Sequence, residues 1–235
     1  MRLHRSRFLT YGEKNGWVQK LAAFWVTIAC VLTLTFAPAP AQAADKPVKI
    51  VVLGDSLSAG FGLPVQSAFP TKLAAALKAK GIAAEIANAG VSGDTASGGL
   101  ARLDWSVPDG TDAVILELGA NDALRGIDPK VTQTALDGIL SKLKARHIAA
   151  LLAGMLAPPN MGADYGRDFN AIYPALAKSY DAVYYPFFLD GVAADPKLNQ
   201  GDGMHPNANG VDAIVARMMP KVEELIARVR AARGS

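Results

Sequence analysis

Five short apolar runs mark the chain, at Val48–Leu53, Ile82–Ala87, Ala113–Leu118, Ile148–Ala153 and Ala182–Pro186. Each is too short for a helix and is bounded by turn-forming residues, which predicts buried parallel strands. Helical periodicity fills the gaps. Thr71–Lys80 (TKLAAALKAK) ends at Gly81, a residue suited to a helix stop. Val131–Arg146 places Val131, Ala135, Leu136, Ile139 and Leu143 on one stripe. After Asn209-Gly210 a last helix carries Val211, Ile214, Val215, Met218, Val222, Leu225, Ile226 and Val229 at spacings of three and four. Pro220 inside that pattern predicts a kink or a break. Strands alternating with helices predict an α/β domain: a parallel sheet, helices on both faces, right-handed crossovers. The chain has 235 residues, and from Ala44 onward it shows no repeat, low-complexity tract or linker. One domain over 44–235 is expected.

The first 43 residues fall outside that pattern. Arg2, Arg5, Arg7, Lys14 and Lys20 make a positive start, Leu21 to Ala37 is an almost unbroken apolar run, and Ala41-Gln42-Ala43 offers a small-residue cleavage site. This predicts a signal peptide over 1–43, with export to a bacterial periplasm or the exterior. The alternative is a retained membrane anchor, for which the run is slightly short. Cleavage would leave no stable membrane span.

Removing this segment changes the charge picture. It holds five of the 24 Lys and Arg and one of the 21 Asp and Glu, leaving 19 basic against 20 acidic residues. A near-neutral domain gives no support for nucleic-acid binding. The single cysteine, Cys30, lies in the leader, so neither disulfides nor thiolate chemistry is expected downstream.

Candidate chemistry begins with Gly54-Asp55-Ser56-Leu57, directly after the first apolar run. The carboxyl ends of strands are where open α/β sheets keep their sites. The alternative for Gly54–Gly62 is a phosphate cradle, yet no Gly-Lys-Ser/Thr follows and no Gly-x-Gly-x-x-Gly occurs. The Gly-x-Ser-x-Gly elbow is absent too. Ser56 is then either the nucleophile of another hydrolase class or a plain turn residue.

Asn88–Asp94 follows the second run and Gly119-Ala120-Asn121-Asp122 the third, both at strand ends that converge on Ser56. The Ser56 and Gly93 N–H groups and the Asn121 amide form a candidate donor set for an oxyanion. Two histidines follow the leader. His147 reads as an exposed helix-end residue. His205, in Asp202-Gly203-Met204-His205-Pro206-Asn207, has a carboxylate three residues earlier that can orient its ring. The bland reading of that loop is a helix N-cap that happens to contain a histidine. One histidine beside one aspartate is too few ligands for zinc, so no metal and no cofactor is expected.

These blocks together resemble the SGNH (GDSL) hydrolases. The match runs from about Val48 to Met219 and is nearest the bacterial periplasmic thioesterase/arylesterase/lysophospholipase type, through GDSLSAG (Gly54–Gly60), SGDT (Ser92–Thr95), ELGANDALR (Glu117–Arg125), Ile172-Tyr173-Pro174 and Pro186-Phe187-Phe188. The resemblance implies a flavodoxin-like three-layer α/β/α fold with five central strands. It implies Ser56 as nucleophile, His205 as base, Asp202 as its orienting acid, and Ser56, Gly93 and Asn121 as oxyanion hole. Gly90, three residues before Gly93, is the competing donor. Asp55 and Asp122 are expected to shape turns rather than to react.

The segment Gly154–Gly162 is unusually apolar for a loop, and with Phe61 and Leu63 it is expected to line an acyl groove through Met155, Leu156 and Pro158. The expected substrates are small-molecule acyl esters or thioesters, acted on by a monomer. A carbohydrate O-deacetylase of the same fold is the near rival, and a non-catalytic flavodoxin-like binding protein the distant one.

Overall fold

The computed structural model describes residues 46–234. The leader read over 1–43 lies outside the described residues. Strand β1 (Val48–Gly54) lies between β2 (Ala84–Gly90) and β3 (Ala113–Glu117), followed by β4 (Ala149–Ala153) and β5 (Val183–Tyr185). All pairings are parallel, in the order β2-β1-β3-β4-β5. This is the flavodoxin-like order, whose topological switch lies between β1 and β3. The fold is therefore the three-layer α/β/α expected.

Helices cover both faces. On one, α2 (Phe69–Ala79) and α9 (Ala208–Gly234) pack against each other and the sheet. On the other lie α3 (Ala96–Ala101), α6 (Pro129–Ala145) and α8 (Ile172–Tyr180). Four short helices complete the set: α1 (Ser56–Ala59), α4 (Leu103–Ser106), α5 (Ala120–Leu124) and α7 (Ala163–Asn170).

Two expectations need correction. The second strand is not buried, because it is an edge: Glu85, Ala87 and Asn88 are exposed, while every residue of β3 is buried. Its apolar residues Ala84, Ile86 and Ala89 are only partly buried against the core. Of the kink or break expected at Pro220, the break does not occur: α9 runs through it. Proline removes the hydrogen bond to the carbonyl four residues back. Here that residue, Ala216, is exposed, as is Pro220, so water can satisfy the freed carbonyl.

Register sets where the site forms. Gly54 pairs with Gly90 on one side and Glu117 on the other, so the loops after β1, β2 and β3 leave the sheet at one level. Arg102 ties that level together from beneath. Its guanidinium, almost fully buried, donates to the carbonyls of Gly54 (2.8 Å) and Ala89 (2.8 Å), to Ser106 Oγ (3.0 Å) and to Asp94 (2.6 Å). Five donors in a fixed plane suit one arginine to this task.

Candidate active site

Ser56 is the first residue of α1. Asp55 caps that helix by accepting from the Leu57 N–H at 3.0 Å. The cap aims the Ser56 hydroxyl away from the sheet toward His205, whose Nε2 accepts it at 3.0 Å. His205 Nδ1 donates to Asp202 Oδ2 at 2.6 Å. Asp202 Oδ1 also accepts the backbone N–H groups of His205 (3.0 Å) and Met204 (2.9 Å). Those two backbone donors, then the imidazole, hold the Asp202 carboxyl down at about 2. It is thus ionised at neutral pH, which favours the ring tautomer that leaves Nε2 free to take a proton.

The loop does cap the last helix, through its final residue, but its aspartate and histidine serve a separate arrangement. The cap of α9 is Asn207, whose Oδ1 accepts from Asn209 and Gly210, while Asp202 serves only its own loop and His205. The loop is closed by Asn207 Nδ2 donating to the carbonyls of Lys197 and Asn199, and by an antiparallel bridge between Asn199 and Pro206. His147 sits on the exposed C-terminal end of α6 with φ of 55°, at the opposite end of the sheet.

The three candidate oxyanion donors differ. Neither the Ser56 nor the Gly93 N–H donates to another group of the described residues, so both are free for a ligand. The Gly90 N–H is occupied, donating to Asn88 Oδ1 at 2.9 Å, which favours Gly93 of the two glycines. Asn121 Nδ2 is also occupied. It donates to Asp55 Oδ2 at 3.0 Å and to the Asp94 carbonyl at 2.9 Å. An incoming oxyanion must share one of those two protons.

Under Ser56 lies a pair of buried carboxyls. Burial pushes Asp55 up to about 6, against the pull of the Leu57 N–H and the Asn121 amide. Glu117, at the end of β3, is pushed well above the usual range by burial and by the Asp55 charge. Glu117 Oε2 accepts from Ser58 Oγ at 2.6 Å and from the Asp55 N–H at 3.3 Å. Asp122 is buried as well and accepts from the Ala96 N–H and Thr132 Oγ1. Asp55 and Asp122 thus shape turns, as read from the sequence. Glu117 and Arg102 were not singled out there; Glu117 has a signal, an acid closing an otherwise apolar strand.

Gly119 starts the α5 turn with φ of 113°, and a Cβ there would collide with the Tyr173 hydroxyl, which donates to the Leu118 carbonyl. Only glycine allows both the backbone angle and that approach. This turn delivers Asn121.

Beside Ser56 opens a cavity of about 280 Å³. Its walls include Leu124, Met155, Leu156, Pro158, Phe187 and Met204, and Ser56, Asn121 and His205 share the lining. The apolar loop after β4 therefore faces the nucleophile, as expected. Phe61 and Leu63 are not part of this wall. The Phe61 ring lies instead on the His205 ring, with centroids 4.6 Å apart. His205 is the one titratable side chain in the lining, so the cavity offers no fixed charge to a substrate.

Comparison with known proteins agrees with this arrangement. The model of the GDSL-like lipase/acylhydrolase family matches residues 52–213. The chain is 40% identical over 176 residues to an arylesterase of Vibrio mimicus, covering 74% of this chain and 87% of that protein. It is 38% identical over 187 residues to thioesterase 1/protease 1/lysophospholipase L1 of Escherichia coli K12, covering 79% and 87%. Among solved structures, the SGNH-hydrolase family esterase AlinE4 is similar at 47% identity and a TM-score of 0.65, covering 76% of this chain and 96% of that one. The match spans Ser56 in the turn after β1, the turns after β2 and β3 and the loop bearing Asp202 and His205: the chain belongs to the GDSL-like lipase/acylhydrolase family.

Proposed function

We propose that the protein is a serine esterase that hydrolyses acyl esters and thioesters through an acyl-serine intermediate. The observation that carries this reading is the Ser56–His205–Asp202 relay, whose serine and histidine line a mostly apolar cavity with no fixed charge. His205 Nε2 takes the Ser56 proton as Oγ attacks the acyl carbonyl. The Ser56 and Gly93 N–H groups, with Asn121, stabilise the oxyanion. The intermediate collapses, and the imidazolium returns its proton to the departing alkoxide or thiolate. Water, deprotonated by the same histidine, attacks the acyl-serine and releases the acid.

The apolar lining beside Ser56 suits the hydrocarbon part of an acyl chain. Met155, Leu156 and Pro158 would contact that chain. The test pairs fluorophosphonate labelling of the wild type and Ser56→Ala with a panel of p-nitrophenyl esters. Labelling that needs Ser56, and kcat/KM rising from acetate to medium chains, are the expected results. A collapse beyond acetate would favour the O-deacetylase reading, and an unlabelled wild type a binding protein.

Nucleophile, base and acid all come from one chain, so a monomer suffices. The leader would direct this chain to the periplasm or the exterior, as befits an enzyme with bacterial relatives. N-terminal sequencing of the exported protein should begin at Ala44.

A further inference from the structure

Asp202 holds His205 at Nδ1, which leaves the ring able to tilt about that bond. A second constraint comes from the nucleophile side of the site. The Phe61 ring lies against the imidazole at an interplanar angle of 37°. Phe61 is half exposed, so core packing does not fix its place. Its N–H donates to the Ser56 carbonyl at 3.1 Å, and its own carbonyl is held by Gln200. The Gln200 Nε2 donates to the Phe61 carbonyl at 2.7 Å and to the Pro206 carbonyl at 3.0 Å, so one amide nitrogen joins the turn after Ser56 to the residue after His205. The Gln200 backbone N–H donates to the His205 carbonyl at 2.7 Å. The turn is shaped around this side chain: Gly62 has φ of 72°, and a Cβ on it would meet Gln200 Oε1.

We infer that Gln200 is a positioning residue for the base: its amide clasps the Phe61 and Pro206 carbonyls, seats the Phe61 ring on His205, and so fixes the line from Nε2 to the Ser56 hydroxyl. Gln200 touches no reacting atom and acts through Phe61 and the His205 backbone. The inference rests on His205 being the base of the reaction proposed above. Misplacement of a catalytic group by about 1 Å costs up to about 10²-fold in rate, so a clasp that sets ring tilt bears on turnover and not on substrate affinity.

The test measures kcat and KM on a short-chain p-nitrophenyl ester and the rate of Ser56 phosphonylation. Gln200→Ala, and Gln200→Glu, which places no donor toward the two carbonyls, should each lower kcat about tenfold with KM within about twofold. Phosphonylation should slow by the same factor. Phe61→Leu should behave likewise, Phe61→Tyr should lose less, and Gln200→Ala with Phe61→Leu should be no worse than Gln200→Ala alone. In a His205→Ala background, Gln200→Ala should change the residual rate no further. An equal loss in that background, or a rise in KM at constant kcat, overturns the inference. If thermal melts show the Gln200 variants unfolded, the Phe61 pair decides: Phe61→Leu turning over as fast as wild type overturns it. A wild type that fails to label at Ser56 would sink the esterase reading itself. A labelled wild type indifferent to Gln200 would sink only the clasp.

Discussion

Asn121 illustrates how one side chain can be both strut and donor. Its amide spans Asp55 and the Asp94 carbonyl, and so braces the helix cap against the turn after β2. If one of those protons also reaches the oxyanion, Asn121→Ala lowers kcat by roughly 10²–10³ with little change in KM. Steady-state kinetics beside thermal melts separate the two roles. A variant that melts early yet turns over normally would leave Asn121 a strut alone. Which donor is free was not legible in the sequence: Gly90 and Gly93 look alike there, and only the Asn88 side chain, folded back onto Gly90, distinguishes them. Ser56, His205 and Asp202 were legible because each sits in a short block whose residue types suit its chemistry. Gln200 was not, since an amide reveals its task only when both carbonyls it holds are located.

At the level of elements, strands were readable and their order was not. A run of apolar residues marks a strand but does not say whether it lies inside the sheet, so β2 looked buried and proved to be the edge. The helices Ala163–Asn170 and Ile172–Tyr180 carry no long apolar stripe, and they sat unassigned between two strands in the sequence. Arg102 is the element-scale counterpart of this problem. It joins the ends of β1 and β2 to α3 and α4 over a sequence distance no local pattern records. Replacing it by methionine would leave Asp94 a partly buried charge without its partner and would take one donor from each of the Gly54 and Ala89 carbonyls. Arg102→Met should cost about 3 kcal/mol or more, read from urea melts. A loss under about 1 kcal/mol would mean that water or neighbours replace the guanidinium.

Across the whole molecule, buried and paired carboxyls pull stability in opposite pH directions. Asp202, at about 2 in the folded protein against 3.8 as the ordinary value, contributes stability above pH 4 that fades as the pH falls toward 2. Asp55, raised from 3.8 to about 6, does the reverse. Its folded form holds a proton the unfolded chain has released, so its contribution is complete below pH 4 and fades as the pH rises through 6. Melting temperatures of wild type and Asp55→Asn should therefore converge or cross between pH 4 and 6, with wild type losing ground as the pH rises. Parallel curves across that range would mean that Asp55 does not titrate there.

Ser56 and His205 meet across 149 positions of sequence, and the loop that brings the base leads directly into α9. During synthesis the nucleophile is therefore made long before its activator. A nascent or truncated chain that stops short of residue 202 presents an ordinary alcohol, inert toward esters. The base comes within reach of the serine only once the segment leading into the final helix is present and folded. The order of residues along the chain thus withholds hydrolytic power from any fragment that ends before residue 202.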